Sequence, residues 1–109
     1  MIPTLKYKVV HGRCSDDANT MGQYTNTSKV IEIFVDTIKR MAHHWNCSYQ
    51  DLRQMVVLHE ECHVKNDHLG LSTPQDEQLA DQYAFWRFIK EMGRWPDVPT
   101  SKWFQKEYV

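Results

Sequence analysis

Residues 51–66 read Asp-Leu-Arg-Gln-Met-Val-Val-Leu-His-Glu-Glu-Cys-His-Val-Lys-Asn. Leu52, Met55, Val56 and His59 recur at helical spacing, so the stretch predicts a helix with one apolar face. Ser48, three residues ahead of Asp51, reads as its N-terminal cap with an acidic first turn. His59 and His63 are then four residues apart, about 40° past one full turn at ~3.6 residues per turn. Two imidazoles on one face can meet a single ion at about 2.0–2.1 Å from each ring nitrogen. Glu60, inside this H-E-x-x-H pentapeptide, stands where a carboxylate can work on water beside that ion. The bland alternative is a pair of surface histidines on an amphipathic helix. Such chance matches are a real risk in a chain with six histidines.

A catalytic zinc site needs a third protein ligand, and the next helix offers one. Thr73-Pro74 is a start signal, a hydroxyl cap followed by proline at the first helical position. Gln75-Asp76-Glu77 forms an acidic first turn, and Leu79, Ala80, Tyr83, Ala84, Trp86, Phe88 and Ile89 carry the helix to about Met92. Gly93 is a stop. The loop 67–72 is long enough to fold this helix antiparallel onto the previous one, with Glu77 facing the histidines. Asp81 lies one turn later and could accept the other ring N–H of a ligand histidine. Ala80 and Ala84 would let the helices approach closely. Against this stands the ordinary preference for acidic residues near a helix N-terminus.

Upstream, the chain reads as strands. Leu5–Val10 is a candidate first strand, Gly12–Gly22 a turn-rich loop, and Gln23–Thr25 a short strand. Lys29–Val35 is rich in β-branched residues, which favours a further strand. Asp36 or Thr37 could cap a helix running to about Trp45, with Ile38, Met41, Ala42 and Trp45 on one side. The expected fold class is α+β: a small N-terminal antiparallel or mixed sheet, then an active-site helix and a glutamate helix. Residues 1–93 would form the domain. The tail 94–109 holds Trp95, Trp103, Phe104 and Tyr108 and is expected to pack on it.

At 109 residues the chain is one domain with a modest core, so a bound metal would add to its stability. Thirteen basic against fourteen acidic residues give a formal charge of −1, which argues against nucleic acid or anionic membrane as partner. No apolar run approaches a membrane span. Met1–Val10 lacks the parts of a signal peptide. Cys14, Cys47 and Cys62 are odd in number and without framework spacing, so reduced thiols in the cytoplasm are expected.

His59-Glu60-x-x-His63 followed by Glu77-x-x-Ala80-Asp81 resembles the gluzincin clan of metallopeptidases. The short spacing and length resemble the minigluzincins. The order of sheet and two site helices is similar to that of intracellular metallopeptidases that cleave phage and mobile-element repressors. The resemblance implies a zincin-like minimal domain with one Zn2+ per chain, held by His59, His63 and Glu77. It implies Glu60 as general base, Asp81 as support for a ligand histidine, and a peptide or protein as substrate. It also implies that Val30–Val35 is an upper-rim edge strand, with Val30, Ile31, Glu32, Ile33 and Phe34 meeting an extended peptide by β-augmentation; an ordinary internal strand is the competing reading.

Other patterns fit less well. His68 misses the metzincin third-histidine position. No upstream cysteine motif matches a deformylase, and a di-iron bundle would need a second Glu-x-x-His pair. Cys62 is expected to be buried beside the site, and Cys14 to be a loop thiol. His43, His44, Tyr83 and Tyr108 are open as oxyanion donors. A zinc-stabilised regulatory module without turnover, or a peptidase held latent by its own tail, remain the alternatives.

Overall fold

The computed structural model describes residues 8–12, 20–25, 27–66 and 74–105. Cys14, the loop 67–72 with His68, Thr73 and Tyr108 lie outside them. Three strands come first: β1 (Lys8–Gly12), β2 (Gly22–Thr25) and β3 (Val30–Phe34). Four helices follow: α1 (Val35–His44), α2 (Tyr49–Lys65), α3 (Pro74–Met92) and the short α4 (Thr100–Phe104). The class is α+β, with a mixed sheet in the order β1-β3-β2.

β3 pairs in parallel with β1 and antiparallel with β2. This corrects one expectation. Val30, Ile31, Glu32, Ile33 and Phe34 form the central strand, so both of its hydrogen-bonding edges are taken and it cannot add a substrate strand. The residues themselves explain the placement. Ile31 and Ile33 are fully buried on the helix-facing side, and the central position buries a β-branched strand most completely. Across the sheet from them, Glu32 accepts a hydrogen bond from Gln23 on the exposed face (3.0 Å).

The connection from β3 into α1 is direct. The helix starts at Val35 with Phe34 as N-cap and no side-chain capping bond, and Asp36 falls in the first turn. The expected cap at Asp36 or Thr37 is therefore two or three residues late; Thr37 and Ile38 are already buried. Asn46, at φ 54°, turns the chain out of α1. Ser48 then caps α2 by accepting from the Asp51 N–H (3.2 Å), as its sequence predicts.

α2 is the axis of the molecule, packed by the sheet on one side and by α3 on another. Leu52, Met55, Val56 and Leu58 are buried along it, which removes their apolar area from water at roughly 25 cal/mol per Å². Arg53 donates to His11 Nε2 (2.9 Å), tying the end of β1 to the helix. β2 passes close to it: a Cβ placed on Gly22 would stand 2.7 Å from Val56 Cγ1, 3.3 Å from the Glu32 carbonyl oxygen and 3.5 Å from Glu60 Cγ. Glycine is needed there for proximity, since a β-branched neighbour has little rotamer freedom to yield.

The tail closes the far side. Gly93, at φ +68°, ends α3. Arg94 then reaches back and donates to both carboxylate oxygens of Asp51 (2.7 and 2.9 Å), and the Asp97 N–H donates to the same carboxylate (2.8 Å). The Arg94 guanidinium outweighs the effect of burial and holds the Asp51 carboxyl below its usual range. Val98 and Trp103 are buried, while Trp95 and Phe104 remain exposed. Gly22→Ala should cost about 1–3 kcal/mol by overpacking. Urea unfolding of the variant against the parent measures it, and an unchanged midpoint would mean that β2 is not held this tightly on α2.

Candidate metal centre

The site forms where α2 and α3 run side by side. Ala80 and Ala84 on α3 are completely buried, and their small side chains allow the close approach their sequence positions suggest. This brings the first two turns of α3 against the last two turns of α2. His59 lies between two carboxylates from the opposite helix. Its Nδ1–H donates to Asp81 Oδ1 at 2.7 Å, and its Nε2 is 2.9 Å from Glu77 Oε2. His63 Nε2 is 3.1 Å from the other oxygen of the same carboxylate, Glu77 Oε1. The two Nε2 atoms are 3.3 Å apart, with ring planes nearly perpendicular. Glu60 Oε1 is 3.9 Å from His59 Nε2.

His59, Glu60 and His63 offer ligand atoms within 4.8 Å of one another, close enough to hold a metal ion. The spacing of the imidazoles suits one. Two nitrogens at about 2.05 Å from a shared tetrahedral ion stand about 3.3 Å apart, the separation seen here. The donor chemistry agrees. Asp81 accepts the hydrogen bond from Nδ1–H of His59, so in the neutral ring Nε2 carries its lone pair toward His63 and Glu77. Lone pairs and a carboxylate that face each other need either protons or a cation between them.

Electrostatics express the same demand. Burial opposes a charge on His59, but hydrogen bonds to Asp81 and Glu77 and the charge of Glu60 overcome it and raise its pKa to about 9. Burial pushes Glu77 upward, yet its bonds to the two histidines win and hold the carboxyl well below the usual carboxylate range. Glu60 is buried, and desolvation raises its pKa against the pull of both histidines. Three carboxylates and two imidazoles crowd one small volume, and their protonation is mutually dependent.

No protein-family model, curated protein or solved structure matches this chain.

His59, Glu60, His63, Glu77 and Asp81 are brought together, and the strand residues Val30–Phe34 are not part of this cluster. His43 and His44 lie exposed on α1. Tyr83 turns to Lys65 and Arg87, which stand over its ring at 4.9 and 5.8 Å. Burial and Glu61 push its phenol up to about 12. Cys62 is buried next to the site and accepts from Asn66 Nδ2 (3.6 Å); burial raises its pKa, which keeps the thiol protonated. Two neighbours of the site escaped the sequence reading. By its local sequence Gly22 reads as the end of a loop, although it passes Glu60. Trp103 meets His59 edge-on, ring centroids 6.2 Å apart, and no local pattern links residues so far apart in the chain.

The pH response of chelator-treated protein should follow these shifts. His59 gains a proton on folding, so its contribution is complete below about 6.5 and is lost as pH rises through about 9. Glu77 is depressed, so its contribution is present above about 4.5 and is lost on acidification. Unfolding free energy measured from pH 4 to 10 should peak between these limits. A flat profile from 6.5 to 9 would contradict the paired state of His59.

Proposed function

We propose that this chain is a zinc-dependent metallopeptidase of gluzincin type, with His59, His63 and Glu77 as the metal-holding residues. The observation that carries the reading is the joint convergence of both Nε2 atoms and the Glu77 carboxylate, with His59 backed by Asp81. An adventitious pair of surface histidines would not have a buried carboxylate fixing one tautomer. When bound, zinc would supply Lewis acidity, making a water nucleophilic near neutral pH and polarising a peptide carbonyl.

The remaining work falls to the protein's own groups. Glu60 is the general base. Its carboxylate is buried and close to His59, and desolvation raises its proton affinity above that of an ordinary carboxylate. It would take a proton from the attacking water and pass it to the departing amine. Asp81 keeps the His59 ring oriented, and by accepting from Nδ1–H it leaves Nε2 as the nitrogen that a metal would take in the neutral ring. An extended peptide is the substrate class that suits the sheet. Among the described residues β1 and β2 are both edges of the sheet, and β2 is the one that Gly22 brings beside Glu60 for backbone pairing. The role expected of β3 thus passes to β2. The zincin-like description of the fold rests on the same order of sheet, histidine helix and glutamate helix.

Two experiments test this. Purified protein should take up one zinc per chain and gain thermal stability, and chelation should reverse both. Glu60→Gln should retain zinc and stability while cleavage of a peptide library falls about 100-fold or more. Glu60→Gln with full activity would refute the mechanism. Zinc uptake without any cleavage by the parent protein would favour the metal-stabilised regulatory module instead.

A further inference from the structure

The tail crosses the molecule from the start of α2 to the rear of the candidate centre. Its last described helix, α4, carries Trp103, which is 1 % exposed although it lies near the end of the chain. Three features define its position. The indole Nε1–H donates to the backbone carbonyl of Asp81 at 3.1 Å. The ring meets the His59 ring edge-on, nearly perpendicular, at 6.2 Å. The carboxylate of the same Asp81 accepts the hydrogen bond from Nδ1–H of His59. One side chain therefore touches α2 at a histidine and α3 at that histidine's partner.

We propose that Trp103 is a positioning residue for the His59–Asp81 pair, and that residues 94–105 are a working part of the centre. This role rests on reading the site as a metal centre. The indole fixes where Asp81 stands along α3, and its ring limits rotation of the His59 imidazole. The separation of His59 from Asp81 is short and directional, so a small axial slip of α3 would lengthen it or misalign it. An imidazole free to turn would no longer hold Nε2 toward His63 and Glu77, and metal affinity would fall without any change in the ligands themselves. Loss of outer partners of ligand histidines commonly costs about 10–100-fold in metal affinity. The upstream part of the tail anchors this arrangement. Arg94 and the Asp97 N–H hold Asp51, and the Ser48 N–H donates to the Asp97 carbonyl (3.1 Å). Removing the tail should therefore disable the centre rather than uncover it, which is opposite to the behaviour of a latent enzyme blocked by its own terminus.

The test uses the full chain with Trp103→Phe, which keeps an aromatic ring but loses the N–H. Trp103→Ala is the harsher variant, and Trp86→Phe, at a 65 % exposed position on α3, is the control. Zinc affinity is measured by competition with a chromophoric chelator. The His59 Nδ1 proton is followed by nitrogen-edited NMR of the metal-free protein, and thermal unfolding reports folding. Trp103→Phe should fold, bind zinc about 10-fold more weakly and show an exchange-broadened Nδ1–H signal, while Trp86→Phe matches the parent. If Trp103→Phe binds zinc like the parent and keeps a sharp Nδ1–H signal, the positioning role is wrong while the metal centre stands. If the parent takes up no zinc, the site reading falls and this role falls with it. Should Trp103→Ala fail to fold, the Trp103→Phe result decides.

Discussion

His59 is held from both ends of its ring, by Asp81 at Nδ1 and by Glu77 at Nε2, and both carboxylates come from the neighbouring helix. This double hold is the constraint on which the rest of the structure turns. A buried imidazole with one partner could sit in many packings. With two partners one helical turn apart on α3, the helices must lie side by side in one register. Ala80 and Ala84 make that distance attainable, because larger side chains there would hold the backbones apart. The buried charges also give the arrangement its cost. Carboxylates and imidazoles removed from water are tolerated only when each faces a compensating proton, hydrogen bond or cation.

The sheet and the tail act on the centre through α2. The sheet delivers the apolar layer of Ile31 and Ile33 against it, and Gly22 sets the distance between β2 and the turn carrying Glu60. The tail reaches α2 twice, once at its first turn through Asp51 and once at His59 through Trp103. A helix gripped at both ends and on two faces has little freedom to rotate. That rigidity matters for Glu60, whose carboxylate neighbours His59 and whose elevated proton affinity depends on staying dry.

Stability and chemistry are therefore coupled in this small chain. A domain of this size buries a limited core, and part of its cohesion comes from the polar cluster where α2 meets α3. A cation that satisfies that cluster would stabilise the fold by the free energy of its binding. The aromatic face formed by Phe85 with Trp86, Trp95 and Phe104 adds edge-to-face packing on the outer side of α3.

Much of this was legible along the chain. The helix that bears His59 and His63, its Ser48 cap, the start of the next helix at Pro74 and the stop at Gly93 are written in local periodicity and capping chemistry, which act over a few residues. Glu77 and Asp81 could be paired with the histidines because one turn of spacing matches one turn of spacing. What local pattern could not decide was adjacency in space. Alternation marks Val30–Phe34 as a strand but does not say how many neighbours it has, and hydrogen bonding to both β1 and β2 made it central. Aromatic composition marks the tail as apolar but cannot say what it covers, and Trp103 found Asp81 only through contacts that span more than twenty residues. Sequence alone determined which side chains carry lone pairs and which helices present them. Tertiary structure decided which groups share one volume, because that depends on the packing of distant segments against α2.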